Sequence, residues 1–222
     1  MTRAILGLLI AKEWHLFRWL IAGSVAAGLL ALATCTTSKA GFYFGSVSFI
    51  CVLVILAVML PMSGVLEERK NKTLLFMLSL PLSPAEYGRA TVVANGSAFL
   101  APWLVLGAAA VATIVTTALP DGLIPFTLML LGYFLVYYAF LLGVVLVRGS
   151  TGAATATIVA GNVGVNFFLY LVTRIPTIGA HIDGPVAVWN RAALSVLAGE
   201  VGLAALIIAL SLSLQARKRD FV

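Results

Sequence analysis

Long apolar stretches separated by short polar turns occupy most of the chain, and they constrain its fold more than any other feature of the sequence. Six of these stretches are long enough to cross the hydrocarbon core of a bilayer, which takes roughly 20 helical residues. Because 62% of the residues are apolar and only 10% are charged, the chain cannot enclose its apolar surface as a soluble globule does. We therefore predict an all-α integral membrane protein with a single domain, residues 1–222.

Turn residues and charged residues separate the six predicted spans. The spans are residues 19–35, 42–64, 85–117, 125–147, 153–173 and 193–214. The third stretch is longer than a bilayer requires at about 1.5 Å per helical residue. We expect it to tilt, to project beyond the membrane or to bend at Pro102.

The distribution of Lys and Arg predicts the orientation of the chain. With the N-terminus in the cytoplasm, eleven of the fourteen basic residues lie on the cytoplasmic side, and Lys39, Arg174 and Arg191 are left outside. This excess of positive charge predicts that both termini are cytoplasmic. Because the basic residues follow the loops rather than one face, the net charge of +6 predicts no nucleic-acid partner.

Residues 1–18 precede the first span and have the pattern of an amphipathic helix. At about 100° per residue, the Leu and Ile side chains share one arc and the basic side chains share the opposite arc. We predict an interfacial helix that lies along the membrane, and the alternative is an uneven start to the first span. Glu13 falls within the apolar arc, so we expect Arg69 or Arg89 to pair with it.

The cytoplasmic loop between the second and third spans, residues 65–83, has an unusual pattern. A charged cluster at residues 67–72 precedes an apolar run at residues 73–80, and Pro81 ends the run. As a helix the run would be about 12 Å long, too short to cross a bilayer. A capping box at residues 83–86 then starts the third span. Either lipid headgroups or another protein must cover the apolar run.

Two fragments of this loop, ERKNKTLL and LSLPLS, are followed by a capped span that begins at Glu86 and Tyr87. Together they resemble the cytoplasmic signature of ABC-2 type exporter permeases. The layout of an amphipathic N-terminal helix, six spans and one long first cytoplasmic loop extends the resemblance over the whole chain. It implies that residues 73–80 form a coupling helix in a groove of a separate nucleotide-binding subunit. The residues implied in this contact are Glu67, Glu68, Arg69, Lys72, Thr73, Leu74, Leu75, Phe76, Met77, Leu78, Ser79 and Leu80.

The resemblance also implies a function and partners. The chain would be the permease subunit of an ATP-driven exporter in the bacterial cytoplasmic (inner) membrane, surrounded by lipid and paired with a second permease copy, identical or related. The chain has no G-x-x-x-x-G-K-[ST] sequence, so it lacks the P-loop that holds ATP phosphates. We therefore expect a non-catalytic subunit without a cofactor or metal of its own, with ATP and Mg on the partner ATPase.

Polar residues inside the spans either line a translocation path or only join helices by hydrogen bonds. The residues of the possible polar path are Asn95, Tyr133, Tyr137, Asn162, Asn166, Tyr170 and Glu200. On the fifth span, small residues four apart form a separate face that permits close contact with another helix. This small-residue face consists of Gly152, Ala156, Ala160 and Gly164.

Glu200 allows two interpretations of the last apolar stretch. If the sixth span starts at residue 193, Glu200 lies a third of the way into it, where a charge costs roughly 3 kcal/mol on insertion scales. Alternatively, residues 186–198 form a short re-entrant or interfacial helix that breaks at Gly199, and the last span starts at Glu200. The resemblance to exporter permeases favours the second interpretation.

Two other functional classes fit the sequence less well. An intramembrane hydrolase would need a base near Ser63, but His15 and His181 lie outside the predicted spans. A six-span assembly subunit, such as a haem-delivery permease of cytochrome maturation, shares the layout. His181 is the only histidine in the predicted outer loops, which therefore offer no set of haem ligands.

Overall fold

The structure is a computed structural model that describes residues 3–66 and 84–217. Within these residues every regular element is helical. The helices are α1 (Arg3–Cys35), α2 (Lys39–Pro61), α3 (Pro84–Thr116), α4 (Leu123–Arg148), α5 (Thr151–Arg174), α6 (Pro176–Gly179) and α7 (Arg191–Arg217). All except α6 are long and apolar enough to cross a membrane, which makes six candidate spans in the described residues. For these residues, the predictions of an all-helical fold and of six helices long and apolar enough to span a membrane are confirmed.

Short capped turns set the ends of several spans, as the turn residues of the sequence predict. The Ser38 hydroxyl accepts a hydrogen bond from the Gly41 amide at 3.0 Å and starts α2. Ser150 accepts one from the Ala153 amide at 3.4 Å and starts α5. Gly149 ends α4 with a φ of 61°, a left-handed conformation that glycine adopts without a Cβ clash.

Helix α1 is one continuous element of 33 residues. No turn separates the predicted interfacial helix from the first span, and the chain has neither Gly nor Pro between Leu8 and Ala22 to interrupt the helix. A helix of this length extends about 50 Å, which exceeds a hydrocarbon core of roughly 30 Å. The interfacial position of residues 1–18 stays a prediction.

Helix α7 corrects the favoured interpretation of the last apolar stretch. The helix begins at Arg191 and runs through Gly199 to Arg217 without a break, while residues 186–190 before it are irregular. The re-entrant helix at residues 186–198 was therefore a wrong prediction, and the alternative of one span around residues 193–214 is right. Glycine permits a break but does not force one, and it is common in membrane-spanning helices.

Helix α4 lies at the centre of the bundle and packs against α2, α3, α5 and α7, while α1 packs against α2 and α3. The core is formed by large apolar side chains that are almost completely buried, among them Leu53, Leu56, Phe99, Leu106, Phe134 and Leu142. Helix α3 continues through Pro102, which lies inside it. We call the end of the bundle where α2 finishes and α3 begins the 66–84 end. The other end, where the Gly122 amide donates to the Gly184 carbonyl at 3.0 Å, is the 122–184 end.

Candidate functional site

Asn95 is the centre of a buried polar cluster near the 66–84 end. Its side chain is 1% exposed. Its Nδ2 donates to the Leu60 carbonyl at 3.0 Å and lies 3.4 Å from Oε2 of Glu13. Its Oδ1 accepts a hydrogen bond from the Tyr138 hydroxyl at 2.8 Å. One amide group therefore joins α1, α2, α3 and α4.

The local structure of α2 shapes this polar cluster. After Pro61 the helix widens into a π-helical turn, Met62–Leu66. Proline disturbs the regular hydrogen-bond ladder, and π-helical turns are frequent at functional sites. Gly64 lies within this turn, where a Cβ would come within 2.6 Å of the Asn95 Nδ2 and 3.0 Å of a Glu13 oxygen. Only glycine leaves enough room for the cluster at this position.

Two further contacts hold the polar cluster in place. The Tyr138 ring stacks on Phe99 with the ring centroids 3.9 Å apart and the planes parallel within 1°. The Trp14 indole donates to the Ser97 hydroxyl at 3.3 Å. Because Trp14 follows Glu13 and Ser97 lies close to Asn95 along the chain, α1 is attached to α3 at two neighbouring points.

Glu13 was predicted to pair with Arg69 or Arg89. The structure places its side chain in the polar cluster, only 8% exposed. Arg69 lies outside the described residues and Arg89 is exposed, so the ion pair stays a prediction. The contact of Glu13 with Asn95 was not predicted, because helical periodicity identifies the buried face of a helix but not the helix that covers it.

Tyr133 and Tyr137, two members of the possible polar path, bind the backbone of α5. Their hydroxyls donate to the Gly161 carbonyl at 2.7 Å and to the Ile158 carbonyl at 3.2 Å. Gly161 lies directly against the Tyr137 ring, where a side chain would overlap it. This arrangement matches the alternative in which polar residues join helices.

The three members of the possible polar path that lie on α5 face outward. Asn162, Asn166 and Tyr170 are exposed in the single chain. The Asn166 amide donates to the Asn162 carbonyl of the same helix at 3.3 Å, and the Arg174 guanidinium lies 5.0 Å from the centre of the Tyr170 ring. Three members of the small-residue face, Gly152, Ala156 and Ala160, are also exposed.

Glu200 is buried between α7 and α4, and its side chain is 8% exposed. Both carboxyl oxygens lack a hydrogen-bond partner among the described residues. The carboxyl lies directly over Gly132, where any side chain would overlap it. The same pattern repeats along α7, since Ser211 lies over Gly143 in the same way. Glycines of α4 thus accommodate polar side chains of α7.

The seven residues of the possible polar path therefore do not form one continuous path in this chain. Asn95 belongs to the polar cluster, and Tyr133 and Tyr137 bind the backbone of α5. Glu200 is buried between α4 and α7. Asn162, Asn166 and Tyr170 of α5 face outward. The residues implied in the ATPase contact lie outside the described part of the chain. They are Glu67, Glu68, Arg69 and residues 72–80. The described part of the chain contains no group of three or more His, Cys, Asp or Glu residues placed to hold a metal ion.

Comparison of the chain with protein-family models, with curated proteins and with solved structures found no match.

Proposed function

We propose that the chain is the permease subunit of an ATP-driven exporter and that it docks a separate ATPase through residues 73–80. The resemblance of the 65–90 segment to ABC-2 type permeases supports the proposal, and so does the layout of six apolar helices. The ATPase binds ATP and Mg, and the permease, paired with a second copy in the bacterial cytoplasmic membrane, supplies the translocation path.

The observation that carries the proposal is the attachment of both ends of the loop to the same polar cluster. The loop at residues 67–83 leaves α2 just after the π-helical turn that contains Gly64 and enters α3 eleven residues before Asn95. Asn95 bonds to the Leu60 carbonyl on the first side of the loop and reaches Glu13 of α1. A displacement of the loop would therefore move α1, α2 and α3 together.

Tyr138 extends this connection to the centre of the bundle. Its hydroxyl donates to Asn95 and its ring stacks on Phe99, so α3 and α4 are joined by a hydrogen bond and by an aromatic contact. Helix α4 in turn packs against α5 and α7. A movement that reaches the end of α2 or the start of α3 would thus pass to the other spans through buried contacts.

The test is whether apolar side chains of the loop bind the ATPase. We expect Phe76→Ala and Met77→Ala to weaken retention of the ATPase by about thirtyfold, because loss of a buried interface anchor costs roughly 2 kcal/mol. Retention is measured by pull-down of the ATPase at matched expression of the permease. Trp189→Ala is the matched control, since Trp189 is a large exposed apolar residue in the loop at the 122–184 end.

The alternative that residues 73–80 bind lipid headgroups predicts a different pattern. The ATPase would then be retained normally, and the Phe76 and Met77 variants would associate poorly with the membrane or lose stability. Normal retention together with normal transport in both variants would contradict the docking assignment.

A further inference from the structure

Glu200 places a carboxyl group inside a membrane-spanning helix, and a glycine of α4 makes room for it. The side chain is 8% exposed. At Gly132, an added Cβ would overlap one carboxyl oxygen and come within 2.8 Å of the carboxyl carbon. Both oxygens are buried in this contact. Neither lipid nor water therefore reaches the carboxyl while α7 packs on α4.

Ser211 is accommodated in the same way, but its polar group has a partner. It lies over Gly143 of α4, and its hydroxyl donates to the Ile207 carbonyl of its own helix at 2.7 Å. Glu200 differs, because neither of its oxygens has a hydrogen-bond partner among the described residues. The fold thus encloses the carboxyl without satisfying it.

The helices that pack against α7 bring no charge to this depth. They are α4, α3 and α6. Residues 90–120, which include most of α3, contain no Lys, Arg, His, Asp or Glu, and neither do residues 123–147 of α4 or residues 176–179 of α6. The charged start of α3 is distant, since Gly88 lies against Gln215, roughly 22 Å along α7 from Glu200.

The remaining titratable side chains on α4 are tyrosines, and their hydroxyls bond elsewhere. Those of Tyr133 and Tyr137 donate to carbonyls of α5. That of Tyr138 donates to the Asn95 side chain. The tyrosines of α4 are therefore not the donors that Glu200 lacks.

The other charged residues near α7 lie at the ends of the bundle. On α7 itself they are Arg191 and Arg217, about 14 Å and 26 Å from Glu200 at about 1.5 Å per helical residue. The turns at the 122–184 end contain Asp121, His181 and Asp183. None of these residues donates a hydrogen bond to the carboxyl.

These surroundings favour one protonation state of the carboxyl. An ionised carboxylate accepts several hydrogen bonds, whereas a protonated carboxyl is neutral. A buried charge without donors or a counter-ion is far more costly than a buried neutral group, and a group in this situation takes up a proton instead.

We infer that Glu200 is a proton-binding site and that α7 packs on α4 only while this carboxyl is neutral. Release of the proton to water leaves a carboxylate that must be hydrated, so the contact between α4 and α7 has to open. Closure of the contact is thus linked to uptake of one proton. The inference goes beyond the proposed exporter function and does not depend on it.

Infrared spectroscopy detects this proton, because the carbonyl stretch of a neutral carboxyl is separate from the bands of a carboxylate. The purified chain is measured at neutral pH in dodecyl maltoside, a detergent without carbonyl groups. We expect the wild type to show a neutral-carboxyl band that is lost in Glu200→Gln and in Glu200→Met. Asp183→Asn is the control and should keep the band, because Asp183 is an exposed carboxyl.

The pH dependence of thermal unfolding tests the link to packing. In the unfolded chain Glu200 meets water, where a glutamate ionises near about pH 4.3. Above this pH the folded wild type holds one proton more than the unfolded chain, so its folding equilibrium should weaken by up to about tenfold per pH unit relative to Glu200→Gln. Ser211→Ala is the matched control and should keep the pH dependence of the wild type.

Two results would overturn the proposal. One is the absence of a Glu200 band from the wild type at neutral pH. The other is the same pH dependence of unfolding in the wild type and in Glu200→Gln. If Glu200→Gln fails to fold, Glu200→Met supplies both comparisons. Failure of both variants to fold would also contradict the proposal, because a neutral carboxyl without a partner should be replaceable by a neutral side chain of similar size.

Discussion

The Asn95 side chain contacts three other helices, which the sequence alone did not predict. An isolated amide in a membrane span is costly unless its donors and acceptor are paired. The structure pairs it with Leu60 and Tyr138 and places it 3.4 Å from a Glu13 oxygen. The amide therefore fixes the relative positions of three other helices, and a change at this residue would affect all of them.

Gly64 and Gly96 allow a direct comparison of how an added methyl group changes the stability of the protein. We expect Gly64→Ala to destabilise the protein by about 1–3 kcal/mol, because the new methyl group would press on Asn95 and Glu13. Gly96→Ala meets open space, so it should be neutral or stabilising by up to about 1 kcal/mol through helix propensity. Thermal unfolding of both variants in detergent checks this expectation. Equal stability of the two variants would contradict the packing described for the π-helical turn.

The helices themselves were the part of the fold that the sequence predicted best. Each predicted span lies mostly or wholly within one observed helix, because length, hydropathy and loop charge act locally. The contacts among helices were not predictable in this way. Glu13 and Asn95 are 82 positions apart, and Asn95 and Tyr138 are 43 apart, so their meeting depends on packing. The re-entrant helix was wrong because Gly199 is compatible with both a break and a continuous helix.

Helices α5 and α7 are the least buried of the six candidate spans in the described residues, and we expect a second copy to cover the small-residue face of α5. Cysteine at Gly152 or Ala160 should form crosslinks between copies in native membranes, in a background with Cys35 and Cys51 replaced by serine. Ala154→Cys is the control, because Ala154 is fully buried within one copy. Crosslinks that form only from α3 or α4 would show that another face is the interface.

At the scale of the whole molecule, the charge distribution predicts which side of the membrane each end of the bundle occupies. With eleven of the fourteen basic residues assigned to the cytoplasmic side, the 66–84 end should face the cytoplasm. Green fluorescent protein fused after Val222 should then fluoresce. Alkaline phosphatase inserted after Asp183, in the loop at the 122–184 end, should be active. The reverse pattern of the two reporters would contradict the predicted orientation.

The outward face of α5 has a consequence for the biogenesis of the protein. A newly inserted copy that has no neighbour presents Asn162 and Asn166 to hydrocarbon, where amides are poorly solvated. Assembly with the proposed second copy would then remove an unfavourable surface as well as create a new contact, and it would link folding of one copy to recruitment of the next. We expect orphan copies to be the form that membrane quality control removes, which would keep the amount of this chain in balance with its partners.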